Sequence, residues 1–365
     1  MADQKVFAVL GSGNGGKAFC GQIAGKGYPV KLYEPLEEND AFRVLKEKRE
    51  MELVGDVSTG GPILDITTDI AEAMKGADVV FVIVPSFAHE PIFSKMIPHL
   101  QNGLHVIIVP GNFGAFVLKK MMAEQGCTAQ VSISETASLP YACRTTGPCT
   151  VMIHKKKLTL KIATTPGASN SEVLEIVNDV FRGVTDYIPS GNVLETGLDN
   201  FNSVLHPLPA LLNIGAIEKN PSGFRHYMDG ISPLVSQKME EMDNERLALG
   251  EACGVNLVST LEQLKAYYGR NDAGSILEYV ESDESPYKDI VGHNVRSRYI
   301  TEDAPYLLAP YVELGRKCKV EMPLTKMCVK LASLLHDRDY FGEGRNLEKL
   351  GLADKSMEEI IASGR

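Results

Sequence analysis

Three glycines in the run Gly11-Ser12-Gly13-Asn14-Gly15-Gly16 are the first residues of the chain whose type and spacing could do chemistry. Gly11 permits a tight turn, Gly13 lets the backbone approach a pyrophosphate, and Gly16 lets the following helix sit close on a sheet. The N-terminus of that helix would offer N–H groups and a partial positive charge to the phosphates, with Ser12, Asn14 and Gly15 in the same turn. By itself such a turn is a weak signal, because glycines also join strands to helices for packing reasons alone. Glu34 sharpens it. This acid ends a second apolar run, Pro29-Val30-Lys31-Leu32-Tyr33, about 20 residues past the turn, where a carboxylate can accept both ribose hydroxyls of NAD and repel the 2′-phosphate of NADP. NAD is therefore the expected cofactor and NADP the less favoured one. Pro85-Ser86-Phe87 and Pro110-Gly111-Asn112-Phe113-Gly114 follow later apolar runs at the carboxyl edge of the implied sheet. Pro85 and Gly111 are expected to border the nicotinamide, against the plainer reading that Pro and Gly only punctuate strand ends.

A second group lies in 198–217, where Asn202, His206 and Asn213 stand among apolar neighbours. The segment reads as one helix, so Asn202 and His206 are a turn apart and share a face. A histidine there is either a hydrogen-bonded core residue or an acid–base group, and spacing does not choose between them.

The elements that would position these groups alternate through the first half. Strand-like runs at 5–10, 29–33, 63–66, 78–84, 104–109 and 131–134 are separated by helical stretches at 37–50, 70–75, 91–100 and 115–125. Near-continuous apolar strands alternating with helices imply a parallel, doubly wound Rossmann sheet. Strands at 150–154, 158–163 and 184–188, with a helix at 171–181, would complete this domain over residues 1–190. Beyond Pro189-Ser190-Gly191-Asn192 nearly every segment has helical periodicity, including 198–217, 234–253, 260–268 and 323–335, so residues 191–365 read as an all-helical domain. The expected fold class is α/β with a C-terminal helical domain.

Composition excludes several function classes. The net charge of −10 argues against a nucleic-acid partner, which calls for a basic surface. The longest uncharged apolar run, Val79 to Pro85, is far too short for a bilayer, and Met1-Ala2-Asp3-Gln4-Lys5 lacks a secretory apolar region, so a cytoplasmic location is expected. Seven cysteines without a CxxC pair fit reduced thiols, with neither a disulfide framework nor a metal site.

Larger blocks carry a resemblance. Asn202-Ser203-Val204-Leu205-His206-Pro207-Leu208-Pro209, Arg296-Ser297-Arg298-Tyr299-Ile300-Thr301-Glu302-Asp303-Ala304-Pro305, Val312-Glu313-Leu314-Gly315-Arg316 and Gly344-Arg345-Asn346-Leu347-Glu348-Lys349-Leu350-Gly351-Leu352, with Gly13-Asn14-Gly15-Gly16, resemble the opine dehydrogenases of the octopine/nopaline type. That resemblance implies a reductive condensation, in which the amino group of an L-amino acid joins a 2-oxo acid such as pyruvate and NAD(P)H reduces the imine to a secondary amine dicarboxylate. It also implies that His206 is the catalytic acid–base and Asp303 its orienting partner. Both substrates carry carboxylates, so Arg298 is the expected carboxylate-binding cation, with Arg296 its competitor, and Asn202 is expected to face the substrate. The rival classes are the ketopantoate, glycerol 3-phosphate and β-hydroxy acid reductases, and a catalytically silent NAD-binding sensor. The former rely on a lysine near the start of their helical half, which 198–217 lacks; the latter need not keep His206, Asp303 and Arg298 together. Self-association is left open by the sequence.

Overall fold

A computed structural model describes residues 4–36, 38–291 and 293–365. The chain divides into two compact units, one running to Thr196 and including Gly364–Arg365, the other spanning Gly197–Ser363. The strands, in chain order, are β1 (Phe7–Leu10), β2 (Val30–Tyr33), β3 (Glu50–Gly55), β4 (Thr59–Pro62), β5 (Asp65–Thr67), β6 (Val79–Val82), β7 (His105–Ile108), β8 (Ser132–Thr136), β9 (Tyr141–Gly147), β10 (Thr150–Lys156), β11 (Thr159–Thr165) and β12 (Asp186–Pro189).

Among the described residues the first unit is built on an eight-stranded sheet in the order β12-β11-β8-β7-β6-β1-β2-β5. From β5 through β8 the neighbours are all parallel, with Val9 opposite both Leu32 and Phe81. The apolar strands β1, β6 and β7 are buried along their whole length, as a sheet covered on both faces requires. After β1 the chain builds outward to β2 and β5, then returns to place β6 on the other side of β1. The direction reverses between β1 and β6, which puts the glycine turn and the Pro85 loop at the crevice where such sheets hold ligands.

Several expectations need correction. The helix expected at 37–50 runs only over Asp40–Lys48, and its expected start at Glu37 lies outside the described residues, as do Met1, Ala2 and Asp3. It stops because Arg49 turns left-handed at φ 49°, and β3 then alternates exposed and buried residues. The expected strand at 150–154 does not extend the parallel sheet: it is part of β10, in a separate four-stranded sheet ordered β4-β3-β10-β9. The large sheet is also not uniformly parallel, since β11 pairs antiparallel with β8.

In the second unit no strand occurs among the described residues, and its longest helices are Pro233–Ala252 and Pro323–His336. Each has a visible start. Ser232 accepts the Val235 N–H, and Glu245 accepts the N–H groups of Leu324 and Thr325 at 2.8 and 3.0 Å. The segment 198–217 is not one helix. It breaks into Asn202–Leu205, Pro207–Leu212 and Ile214–Lys219, with His206 at the first joint, because Pro207 and Pro209 carry no N–H and disfavour helical backbone in the residues before them. Among the described residues no helix is long and apolar enough to cross a membrane. All seven cysteines are free thiols.

Candidate active site

The candidate cofactor-binding residues grow from the end of β1. Gly11 sits at φ +116°, a conformation that L side chains rarely adopt, and a Cβ on Gly16 would stand 1.7 Å from the Gly11 carbonyl oxygen. Only glycine lets the helix Asn14–Gly25 begin this close to the strand. Gly13 caps that helix with extended backbone and no side-chain hydrogen bond, the first turn holds no acid, and a Cβ on Gly13 would meet nothing within 4 Å. Open space in front of uncapped N–H groups is what a pyrophosphate needs. Asn14 turns aside to accept the Thr145 N–H at 3.0 Å.

Glu34 stands at the adjacent strand end, positioned by its own N–H donating to Thr67 O at 2.9 Å and by Gly11 N–H donating to Tyr33 O at 3.0 Å. Its carboxylate accepts the Ser12 hydroxyl and, at 3.0 Å, the Leu36 N–H. The cofactor candidates Gly11, Ser12, Gly13, Asn14, Gly15, Gly16 and Glu34 thus lie together at the ends of β1 and β2, with Gly13 exposed, Asn14, Gly15 and Glu34 half-buried, and Gly11, Ser12 and Gly16 buried. Half-buried Pro85 opens the loop after β6, and its neighbour Ser86 accepts from Asn112 Nδ2 at 2.9 Å, tying that loop to the one after β7.

The candidate catalytic residues lie in the helical unit. His206 closes one short helix and opens the next, its N–H donating to Asn202 O and its carbonyl accepting from Ala210, both at 3.1 Å. Asp303 immediately precedes a π-helical turn, Ala304–Leu308, the kind of widened turn that often marks functional sites. Separated by 97 residues in the chain, His206 Nδ1 and Asp303 Oδ2 lie 2.7 Å apart, and both side chains are about nine-tenths buried. Burial pushes the Asp303 carboxyl well above the usual carboxylate range, Glu302 adds to this, and Arg298 opposes it. A positive imidazolium on the other side of the bond offsets that burial, so the pair is suited to a histidine that gains and loses a proton.

Arg298 is exposed and reaches Glu302 at 3.5 Å, leaving its guanidinium accessible to a carboxylate. Arg296 is exposed as well. Asn202, half-buried, lies one turn before His206.

Sequence reasoning missed three residues. Tyr227 Oη is 3.0 Å from His206 Nε2, and the Tyr299 ring stacks on the His206 ring at 3.7 Å and 8°. Tyr299 lay inside a quoted block but was given no role, and nothing in the spacing of Tyr227 marked it. The third is Glu135, fully buried in β8, which accepts the Ala115 N–H at 3.0 Å and the Thr196 hydroxyl at 2.9 Å. Its side chain occupies the space a Cβ on Gly111 would need, at 2.2 Å, so Gly111 owes its identity to this carboxylate beneath the loop.

Residues 189–336 match the model of the NAD/NADP octopine/nopaline dehydrogenase alpha-helical domain, and 6–133 match the N-terminus of NAD-dependent glycerol-3-phosphate dehydrogenase. An opine dehydrogenase of Arthrobacter sp. (strain 1C) is 36% identical over 362 residues, covering 97% of both chains. The chain belongs to the opine dehydrogenase family. It is accordingly an NAD-dependent oxidoreductase of the class that acts on CH–NH donors. An octopine dehydrogenase structure described with NADH and L-arginine has the same fold, with a TM-score of 0.80 and 20% identity over 99% of each chain. A ketopantoate reductase from Ralstonia eutropha JMP134 is similar at a TM-score of 0.64 and 18% identity, over 91% of this chain and 98% of its own.

Proposed function

We propose that this opine dehydrogenase joins the amino group of an L-amino acid to a 2-oxo acid such as pyruvate and reduces the product to a secondary amine dicarboxylate, or runs the reverse oxidation, in the cytoplasm. The observation that carries this reading is the buried His206–Asp303 pair, in a chain 36% identical to an opine dehydrogenase along nearly its whole length. The condensation releases water and consumes one hydride and one proton. NADH supplies the hydride when bound.

The chain's own residues handle the rest. The Gly11 to Gly16 turn holds the pyrophosphate and Glu34 the ribose. His206 takes a proton from the incoming ammonium and returns one to the departing hydroxyl, the work of a side chain whose ordinary pKa of about 6.5 is near neutrality. Asp303 keeps the Nδ1 proton in place and stabilises the imidazolium. Arg298 holds a carboxylate bidentately, and Asn202 contributes a hydrogen bond from the same side as His206. The absence of lysine from 198–217 supports this assignment over a ketopantoate-type reductase.

An NADH-oxidation screen over amino acid and 2-oxo acid pairs tests the proposal. Oxidation is expected only when both substrates are present, with the secondary amine found by mass spectrometry. Efficient reduction of a 2-oxo acid alone to its hydroxy acid would instead identify a ketopantoate-type activity.

A further inference from the structure

A histidine that moves protons has two nitrogens to account for, and Asp303 uses one of them. Nε2, left for the substrate, lies 3.0 Å from Tyr227 Oη. Burial, reinforced by neighbouring Tyr299, raises the Tyr227 phenol pKa well above its ordinary value, so the hydroxyl keeps its proton and has it available to donate to Nε2. An acceptor at Nε2 requires the imidazole proton on Nδ1, where the Asp303 carboxylate receives it. The two bonds therefore select the same tautomer.

The tyrosine is itself held. Its ring stacks on Tyr287 at 4.4 Å, and Tyr287 Oη donates to Tyr268 Oη at 3.3 Å. Tyr299 lies flat on the His206 ring and its hydroxyl is 3.4 Å from that of Tyr227, so the imidazole is fixed on one face as well as at both nitrogens. His226 meets the His206 ring edge-on, and its Nε2–H donates to Leu205 O at 3.0 Å. Burial, with His293 nearby, pushes its pKa down to about 4 although the Leu205 bond opposes this, so His226 adds no second charge. Among the described residues, the titratable and charged groups near His206 in this unit include Asp303, Tyr227, Tyr299 and His226, with Glu302, Arg298 and Tyr311 acting through Asp303 and His293 behind Tyr299.

We propose that Tyr227 is a positioning residue for the reaction, its hydroxyl holding Nε2 of His206 while Asp303 holds Nδ1, so that the imidazole waits in one orientation and one tautomer for the substrate. This rests on reading His206 as the acid–base. When Nε2 gains a proton the bond reverses: Nε2–H donates to Tyr227 Oη, now as the stronger, charge-assisted form. Losing the hydroxyl thus penalises the imidazolium more than the neutral ring.

Tyr227→Phe keeps the ring that stacks on Tyr287 and removes only the hydroxyl. The expected loss in kcat is roughly 10- to 100-fold, the worth of a hydrogen bond to a charged group, with KM for NADH within about twofold of wild type. In the reductive direction the neutral imidazole must first take the ammonium proton, so activity falls as pH drops through its pKa. In Tyr227→Phe that fall should begin about one pH unit lower. Nitrogen-15 NMR should show His206 in the single Nδ1–H tautomer in the wild type and in mixed tautomers in the variant. Wild-type kcat, or a reduced kcat with an unmoved pH profile and an unchanged tautomer, overturns the proposal. His206→Ala separates the two readings: if it is nearly inactive while Tyr227→Phe behaves as wild type, only the role of Tyr227 falls, whereas a fully active His206→Ala removes the acid–base reading beneath it.

Discussion

In the proposed function His206 and Asp303 share one proton path, so their substitutions should not act independently. His206→Ala is expected to lower kcat roughly 10²–10⁴-fold, the usual worth of a placed acid–base group, while NADH binding, which the proposal seats on the Gly11 to Gly16 turn, stays near its original value. Asp303→Asn should produce a smaller loss, because it disturbs the tautomer and charge of His206 without removing the acid. The double variant should be little worse than His206→Ala alone, and a simple product of the two single losses in steady-state kinetics would show that the pair does not work as a unit. Glu34 has its own consequence at this scale. Its carboxylate is tied to Ser12 and the Leu36 N–H, and in the proposed cofactor placement it stands where the 2′-phosphate of NADPH would meet a like charge. Hence kcat/KM should be higher with NADH than with NADPH, and equality of the two would remove Glu34 from the ribose.

At the scale of elements, the stretch that leads into the short helices around His206 is tied down by Arg246, which is 1% exposed within the helix Pro233–Ala252. Its guanidinium donates to Asp243 at 2.8 Å, to Leu198 O at 3.2 Å and to Val258 O at 2.6 Å. Arg246→Ala strands a buried carboxylate and two carbonyls, which should destabilise the protein by about 3–5 kcal/mol. Urea unfolding measures this, and a loss below about 1 kcal/mol would show that the network does not hold that stretch. Single Rossmann strands were legible because apolar runs of four or more residues are hard to place anywhere but a buried sheet. The smaller sheet was not: β4 is Thr59-Gly60-Gly61-Pro62, a composition that argues against a strand, and it forms because β3 offers a partner edge.

For the molecule as a whole, one buried group should shape stability against pH. Lys157 is nearly inaccessible, its Nζ donates to Ser138 Oγ at 2.5 Å, and burial pushes its pKa down to about 7. Between pH 7 and the unfolded-state value near 10.5, the unfolded chain binds a proton that the folded chain does not. Its contribution to stability therefore rises with pH across that window, and the penalty of burying its charge is fully present below about pH 7. Lys157→Met removes the titration, so the stability difference between wild type and variant should change across pH 7–10. A constant difference would place the amine in solvent.

By itself, the sequence determined the Rossmann sheet, the helical second half, the glycine turn with Glu34 and the blocks holding His206 and Asp303, since periodicity, glycine spacing and acid placement act over a few neighbouring residues. Only the tertiary structure decided what His206 touches. Asp303 comes to one nitrogen from 97 residues away and Tyr227 to the other from 21, across turns that no local pattern specifies. The joint that aims His206 was written in Pro207 and Pro209, yet the same prolines fit the start of one unbroken helix as well as a break. Burial was the deciding quantity throughout: it turns a common histidine, a common aspartate and an unremarked tyrosine into a set whose protons depend on one another, and burial depends on every element packed around them.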